Sequence, residues 1–113
     1  EGLTSEECRS RVVELLIRAC LPDDSVVPSA HYAQLIAAAE SPVVTEAYQK
    51  GRVLLDAAVG RILAHARIDM PPRMVGIIVD GAAVAAISEG YDVREFAAGL
   101  LEDALRVYGS DKQ

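Results

Sequence analysis

Apolar residues recur along this chain at helical spacing, and no stretch shows the strict alternation of a half-buried strand. A first helix, residues 5–20, is predicted behind Thr4-Ser5-Glu6-Glu7, the residue order of a capping box. Its stripe is Val12, Val13, Leu15, Leu16, Ile17, Ala19 and Cys20, which leaves Arg11, Glu14 and Arg18 outside. Pro22-Asp23-Asp24-Ser25 reads as a turn, and Pro28-Ser29 opens a second helix, residues 29–40. Ser41 before Pro42 is an N-cap followed by proline at the first helical position. The third helix, residues 43–67, carries Val44, Ala47, Tyr48, Gly51, Leu55, Ala58, Val59, Ile62 and Ala66 at the 3.6-residue period. Met70-Pro71-Pro72 separates it from a fourth helix, residues 72–88, which Gly90 suits as a left-handed stop. Asp92-Val93-Arg94-Glu95 is a second capping box. It opens a fifth helix, residues 93–108, with the stripe Val93, Phe96, Ala97, Leu100, Leu101, Ala104, Leu105 and Tyr108. The expected fold is one all-α domain, a five-helix bundle spanning residues 1–113.

The fourth helix departs from this pattern. Val75 to Ile87 holds one polar side chain, Asp80. A helix apolar nearly all round must be covered on several sides. Its small residues, Gly76, Gly81, Ala82, Ala83, Ala85 and Ala86, invite close backbone approach. A domain of 113 residues has difficulty covering such a helix alone. A partner copy or a cavity is therefore expected beside it.

Composition narrows the function. Hydrophobic residues make up 51% of the chain, and the mean hydropathy of +0.21 excludes disorder. The formal charge of −6 argues against direct nucleic-acid binding, which needs clustered Lys and Arg to replace counterions. The longest apolar run is too short to span a bilayer, and no signal-peptide pattern precedes it. The missing initiator Met suggests a fragment. Cys8 and Cys20 lie on one predicted helix about 18 Å apart at ~1.5 Å per residue, beyond disulfide reach. Both are expected reduced, as in a cytoplasmic protein.

The stretch from Val79-Asp80-Gly81-Ala82-Ala83 through Tyr91-Asp92-Val93 to Leu105 resembles the last two helices of TetR-family transcriptional regulators. The order of all five helices is similar to that family's C-terminal regulatory domain. The resemblance implies that the last two helices pair with their copies in a second subunit as a four-helix bundle, and that the first four surround a pocket for a small, mostly apolar effector. It also implies that DNA is bound only through an N-terminal helix-turn-helix domain, which these residues lack. On that basis the pocket is expected from Leu16, Cys20, Tyr32, Leu35, Tyr48, Arg52, Leu55, Val59, Met74 and Ile78. The homodimer interface is expected from Gly76, Asp80, Ala83, Ile87, Phe96, Leu100, Glu102 and Arg106.

Each polar candidate has a plainer reading beside the functional one. Asp80 either pairs with an arginine or accepts hydrogen bonds at a subunit seam, or else faces a ligand; unpaired, it would cost several kcal/mol. Arg52 either pairs with Asp56 one turn on or turns inward toward an anion. His31 and Tyr32 begin the second helix as cap and half-buried aromatic, or close the pocket. His65 belongs on a solvated flank. No metal-ligand spacing, cofactor-binding loop or nucleophile-base motif occurs, so neither an enzyme nor a metal protein is expected. The rival reading is a small all-α homodimeric assembly protein without ligand. A helical-bundle enzyme ranks behind both.

Overall fold

In a computed structural model the chain is all-helical, and the structure describes residues 2–21, 28–37 and 40–110. Among the described residues six α-helices follow in order: α1 (Ser5–Ser10), α2 (Val12–Cys20), α3 (Pro28–Ala37), α4 (Pro42–His65), α5 (Pro72–Glu89) and α6 (Val93–Ser110). The turn expected at Pro22–Ser25 lies outside the described residues.

Local chemistry sets these boundaries. Thr4 and Glu7 close the reciprocal capping box of α1, and the Ser41 hydroxyl accepts from the Val44 N–H ahead of Pro42. The Asp92 carboxylate accepts from the Glu95 N–H at the start of α6. Gly90, at φ +82°, ends α5 in the left-handed region, and the Tyr91 N–H reaches back to the Ala86 carbonyl. The first predicted helix is divided at Arg11, whose backbone (φ −114°, ψ 15°) leaves helical geometry. Its N–H is shared between the Glu7 and Cys8 carbonyls, so the ladder bends there without parting.

The bend lets α1 do different work from α2. The α4 C-terminus is closed by a Schellman motif: Ile68 N–H bonds the Leu63 carbonyl, and Arg67 occupies the left-handed position at φ +61°. Over this end α1 lays its polar face. Ser5 donates to the His65 carbonyl, the Cys8 thiol to that of Ile62, and Arg9 to those of Ala66 and Arg67. The His65, Ala66 and Arg67 carbonyls at this helix end are thus engaged by another helix, while that of Ile62 also accepts from the Ala66 N–H.

The core is built around α5, which packs against α2, α3, α4 and α6. Leu16, Leu63, Leu101, Val59, Val75 and Val79 are wholly enclosed. Ala82, Ala83 and Ala86 bring neighbouring helices close on the same inner side. Most of the residues from Val75 to Ile87 are therefore buried or half-buried within the chain itself, more than the sequence led us to expect. One stripe is left open: Ile77, Gly81, Val84 and Ser88 follow each other at three- and four-residue steps and are exposed. The antiparallel α6 also leaves apolar residues exposed, Leu100 and Val107, and its C-terminal part is tied to the start of α5 by a Tyr108 hydroxyl–Met74 sulfur contact of 3.2 Å.

Candidate functional site

Four elements converge on Asp80. Arg52 of α4 meets it at 2.7 Å, and the Tyr32 hydroxyl of α3 donates to its other oxygen at 3.1 Å. Cys20, at the end of α2, lies close enough to feel the charges of Asp80, Arg52 and Asp56. The Arg52 and Asp80 side chains are 27% and 33% exposed, so the pair is reachable from solvent at its edge.

The reach of Arg52 depends on a missing side chain. Its Nη1 lies 2.6 Å from where a Cβ on Gly76 would stand, so the guanidinium crosses α5 directly over that glycine to reach Asp80 one turn on. Gly76→Ala should evict the guanidinium while gaining about 1 kcal/mol of helix propensity. Net stability is then expected to change by less than about 1 kcal/mol, because the two effects oppose. The signature is lost coupling: Asp80→Asn should cost less in the Gly76→Ala background than in wild type. Equal costs in chemical denaturation would contradict this geometry.

Asp56, one turn after Arg52, has a different partner from the one sequence spacing offers. It faces Arg73 at 3.9 Å, and its Oδ1 is buried with no hydrogen-bond partner among the described residues. A buried carboxylate oxygen without a donor is costly and marks a place where a water or ligand donor belongs. Its position at i+4 from Arg52 was the available sequence signal, but local pairing hid it.

Burial pushes the Cys20 thiol up to about 11, with Asp80 adding to the shift and Arg52 opposing it. Tyr32 is raised well above the ordinary phenol value by burial, then by Asp80. Neither is ionised at neutral pH, so neither the thiol nor the phenol is there as the anion. Alkylation of Cys20 by iodoacetamide should therefore be slow at pH 7.5 and rise steadily toward pH 11. Removing Arg52 should slow it further, since the guanidinium favours the thiolate. A plateau near pH 8.5 in a Cys8→Ser background would contradict this.

Other expected pocket residues are placed differently. Leu16 and Val59 are wholly enclosed in the core and cannot touch a ligand without unpacking it. Leu55 and Ile78 are half-buried against that core, whereas Tyr48 and Met74 are partly exposed. The side chains of Leu35 and His31 lie outside the described residues. His65 is exposed, as expected, but its ring nitrogen meets the Leu3 carbonyl.

The expected subunit seam also changes. Gly76 and Ala83 are buried beneath their own chain, and Asp80 is held within it by Arg52 and Tyr32. Glu102 faces the groove between α2 and α6, and Arg106 pairs with Asp103. The exposed α5 positions, Ile77, Gly81, Val84 and Ser88, each lie one residue after an expected one, a rotation of about 100° on the helical wheel at ~3.6 residues per turn. Leu100 is exposed, and Phe96 is half-buried against the core and stacked on Tyr91 with ring centroids 5.6 Å apart. Ile87 is half-buried.

Among the described residues no cluster of three or more His, Cys, Asp or Glu side chains is arranged to hold a metal, and no helix is long and apolar enough to cross a membrane. Comparison with protein-family models, curated proteins and solved structures finds no match, so the site must be read from its own chemistry.

Proposed function

We propose that this chain is the effector-binding and dimerisation domain of a TetR-like transcriptional repressor, working as a cytoplasmic homodimer. The observation that carries the reading is the packed α5–α6 pair and the apolar residues it leaves exposed, Ile77 and Val84 with Gly81 on α5 and Leu100 and Val107 on α6. Two such pairs related by a two-fold axis would cover each other as a four-helix bundle. DNA contact falls to a domain outside these residues, in keeping with the net charge of −6.

The Arg52–Asp80–Tyr32 cluster is the effector-sensing element in this reading. One carboxylate ties α3, α4 and α5 together, so a small, mostly apolar ligand whose polar group competes for Arg52 or Asp80 releases α3 from α5. The shift it causes is limited to its differential affinity for the two arrangements. The domain performs no catalysis. A thermal-shift screen of small amphiphiles against wild type and Arg52→Gln tests the reading: ligands that raise the melting temperature of wild type and lose their effect in Arg52→Gln support it.

The close alanine packing of Ala82, Ala83 and Ala86 favours a second reading, a ligand-free homodimeric assembly protein. Such a protein gives a dimer mass and no ligand response.

A further inference from the structure

A half-open pocket lies away from the Asp80 cluster, where α1 and the residues before it fold over α2 and α4. It has a volume of about 470 Å³, within the ~300–1,000 Å³ range of small-ligand pockets. Its apolar wall is Leu3, Leu15, Ala58 and Ile62. The charged or titratable groups facing it from α4 are Arg61 and His65, and Cys8 faces it from α1. None of its described lining residues is acidic.

The electrostatics of this space are set by what α1 does. The C-terminal end of a helix ordinarily repels anions through its open carbonyls. Here the carbonyls of Ile62, His65, Ala66 and Arg67 are engaged by Cys8, Ser5 and Arg9. His65 is directed at the Leu3 carbonyl and so holds the roof in place. Arg61 is exposed and has no ion pair with any described residue. An apolar wall lined also by a guanidinium that pairs with no described carboxylate matches an amphiphile with an acidic head.

We propose that this cavity binds a small monocarboxylic acid with an aliphatic or aromatic body, its apolar part against Leu15, Ala58 and Ile62 and its carboxylate on Arg61. The occupant would bridge α1, α2 and α4, and its binding would hold the α1 cap on the end of α4. The site is independent of the Asp80 cluster and of the dimer reading, which stand or fall on Arg52 and on the α5–α6 stripe.

The test is calorimetric titration of the whole chain with octanoate, and with octanol as the uncharged control. Wild type should bind octanoate saturably at one site per chain and octanol at least tenfold more weakly. Arg61→Gln, an exposed substitution, should weaken octanoate at least tenfold and leave octanol unchanged, whereas Arg52→Gln should leave octanoate unchanged. Ala58→Phe, which fills the cavity, should abolish both; if that variant loses helicity by circular dichroism, Leu15→Phe replaces it. No saturable octanoate binding, equal affinity for octanol, or an undiminished Arg61→Gln variant would each overturn the proposal. Loss of binding in Arg52→Gln instead of Arg61→Gln would overturn it in favour of the Asp80 cluster.

Discussion

Glutamate at Ile77 and Val84 should leave a helical chain that sediments at its monomer mass of 12.0 kDa, while wild type sediments as a dimer. Ile77 is 60% exposed and Val84 46%, so neither contributes much to the fold of a single copy. Both lie mid-stripe on α5, where a two-fold partner would meet its own equivalent residues. Four like charges brought into one dry seam are strongly unfavourable, because each carboxylate loses water and gains no counter-ion. A stable interface takes about 800 Å² from each copy, roughly a ninth of the 7191 Å² this chain exposes. Gly81→Leu gives a finer version of the same experiment. Beyond its own helix backbone, no described atom lies within 4 Å of a Cβ at Gly81, so a leucine there starts into open space and would be felt chiefly by a partner. Its expected effect is a dimer weakened at least tenfold with no loss of monomer stability. A wild-type monomer at micromolar concentration, or a dimeric glutamate variant, would end the four-helix-bundle reading.

Removing one member of the Arg52–Asp80 pair should destabilise the fold by about 1–2 kcal/mol, below the ~3–5 kcal/mol typical of fully buried pairs. The discount follows from solvent access: with the side chains 27% and 33% exposed, water screens part of what is lost. The cost arises because an uncompensated charge stays behind in an apolar setting. Arg52→Leu strands Asp80 with the Tyr32 hydroxyl, while Asp80→Leu strands Arg52 over Gly76. The double variant Arg52→Leu/Asp80→Leu removes both charges and should lie within about 1 kcal/mol of wild type, since apolar replacement of a part-buried pair is often neutral. Chemical denaturation of the four proteins measures the coupling directly. Additive losses in the double variant would show that the two groups do not depend on each other. The pair would then be no candidate for sensing a ligand.

Local signals carried the helix boundaries, because their causes are local. Thr4 with Glu7, Ser41 with Pro42, and Gly90 each satisfy or end a backbone ladder within a few residues, and each does so in the folded chain. The break at Arg11 was hidden, since no glycine or proline marks it; it exists because α1 and α2 pack on different parts of α4. Asp80 was legible as a residue in need of a partner. Its partner was not, because Arg52 lies 28 positions away and Asp56 offered a nearer carboxylate.

The sequence by itself determined an all-helical chain, its helix stops, and the presence of one carboxylate in an apolar helix. Hydrophobic period and capping act over three to seven residues, and those lengths are written in the order of the residues. Tertiary structure alone decided which face of α5 remains open, that Gly76 is the passage for Arg52, and that α1 helps wall a half-open pocket at the end of α4. Those outcomes depend on the rotation of each helix against several others. An apolar helix, whose residues look alike all round, carries little sequence information about that rotation.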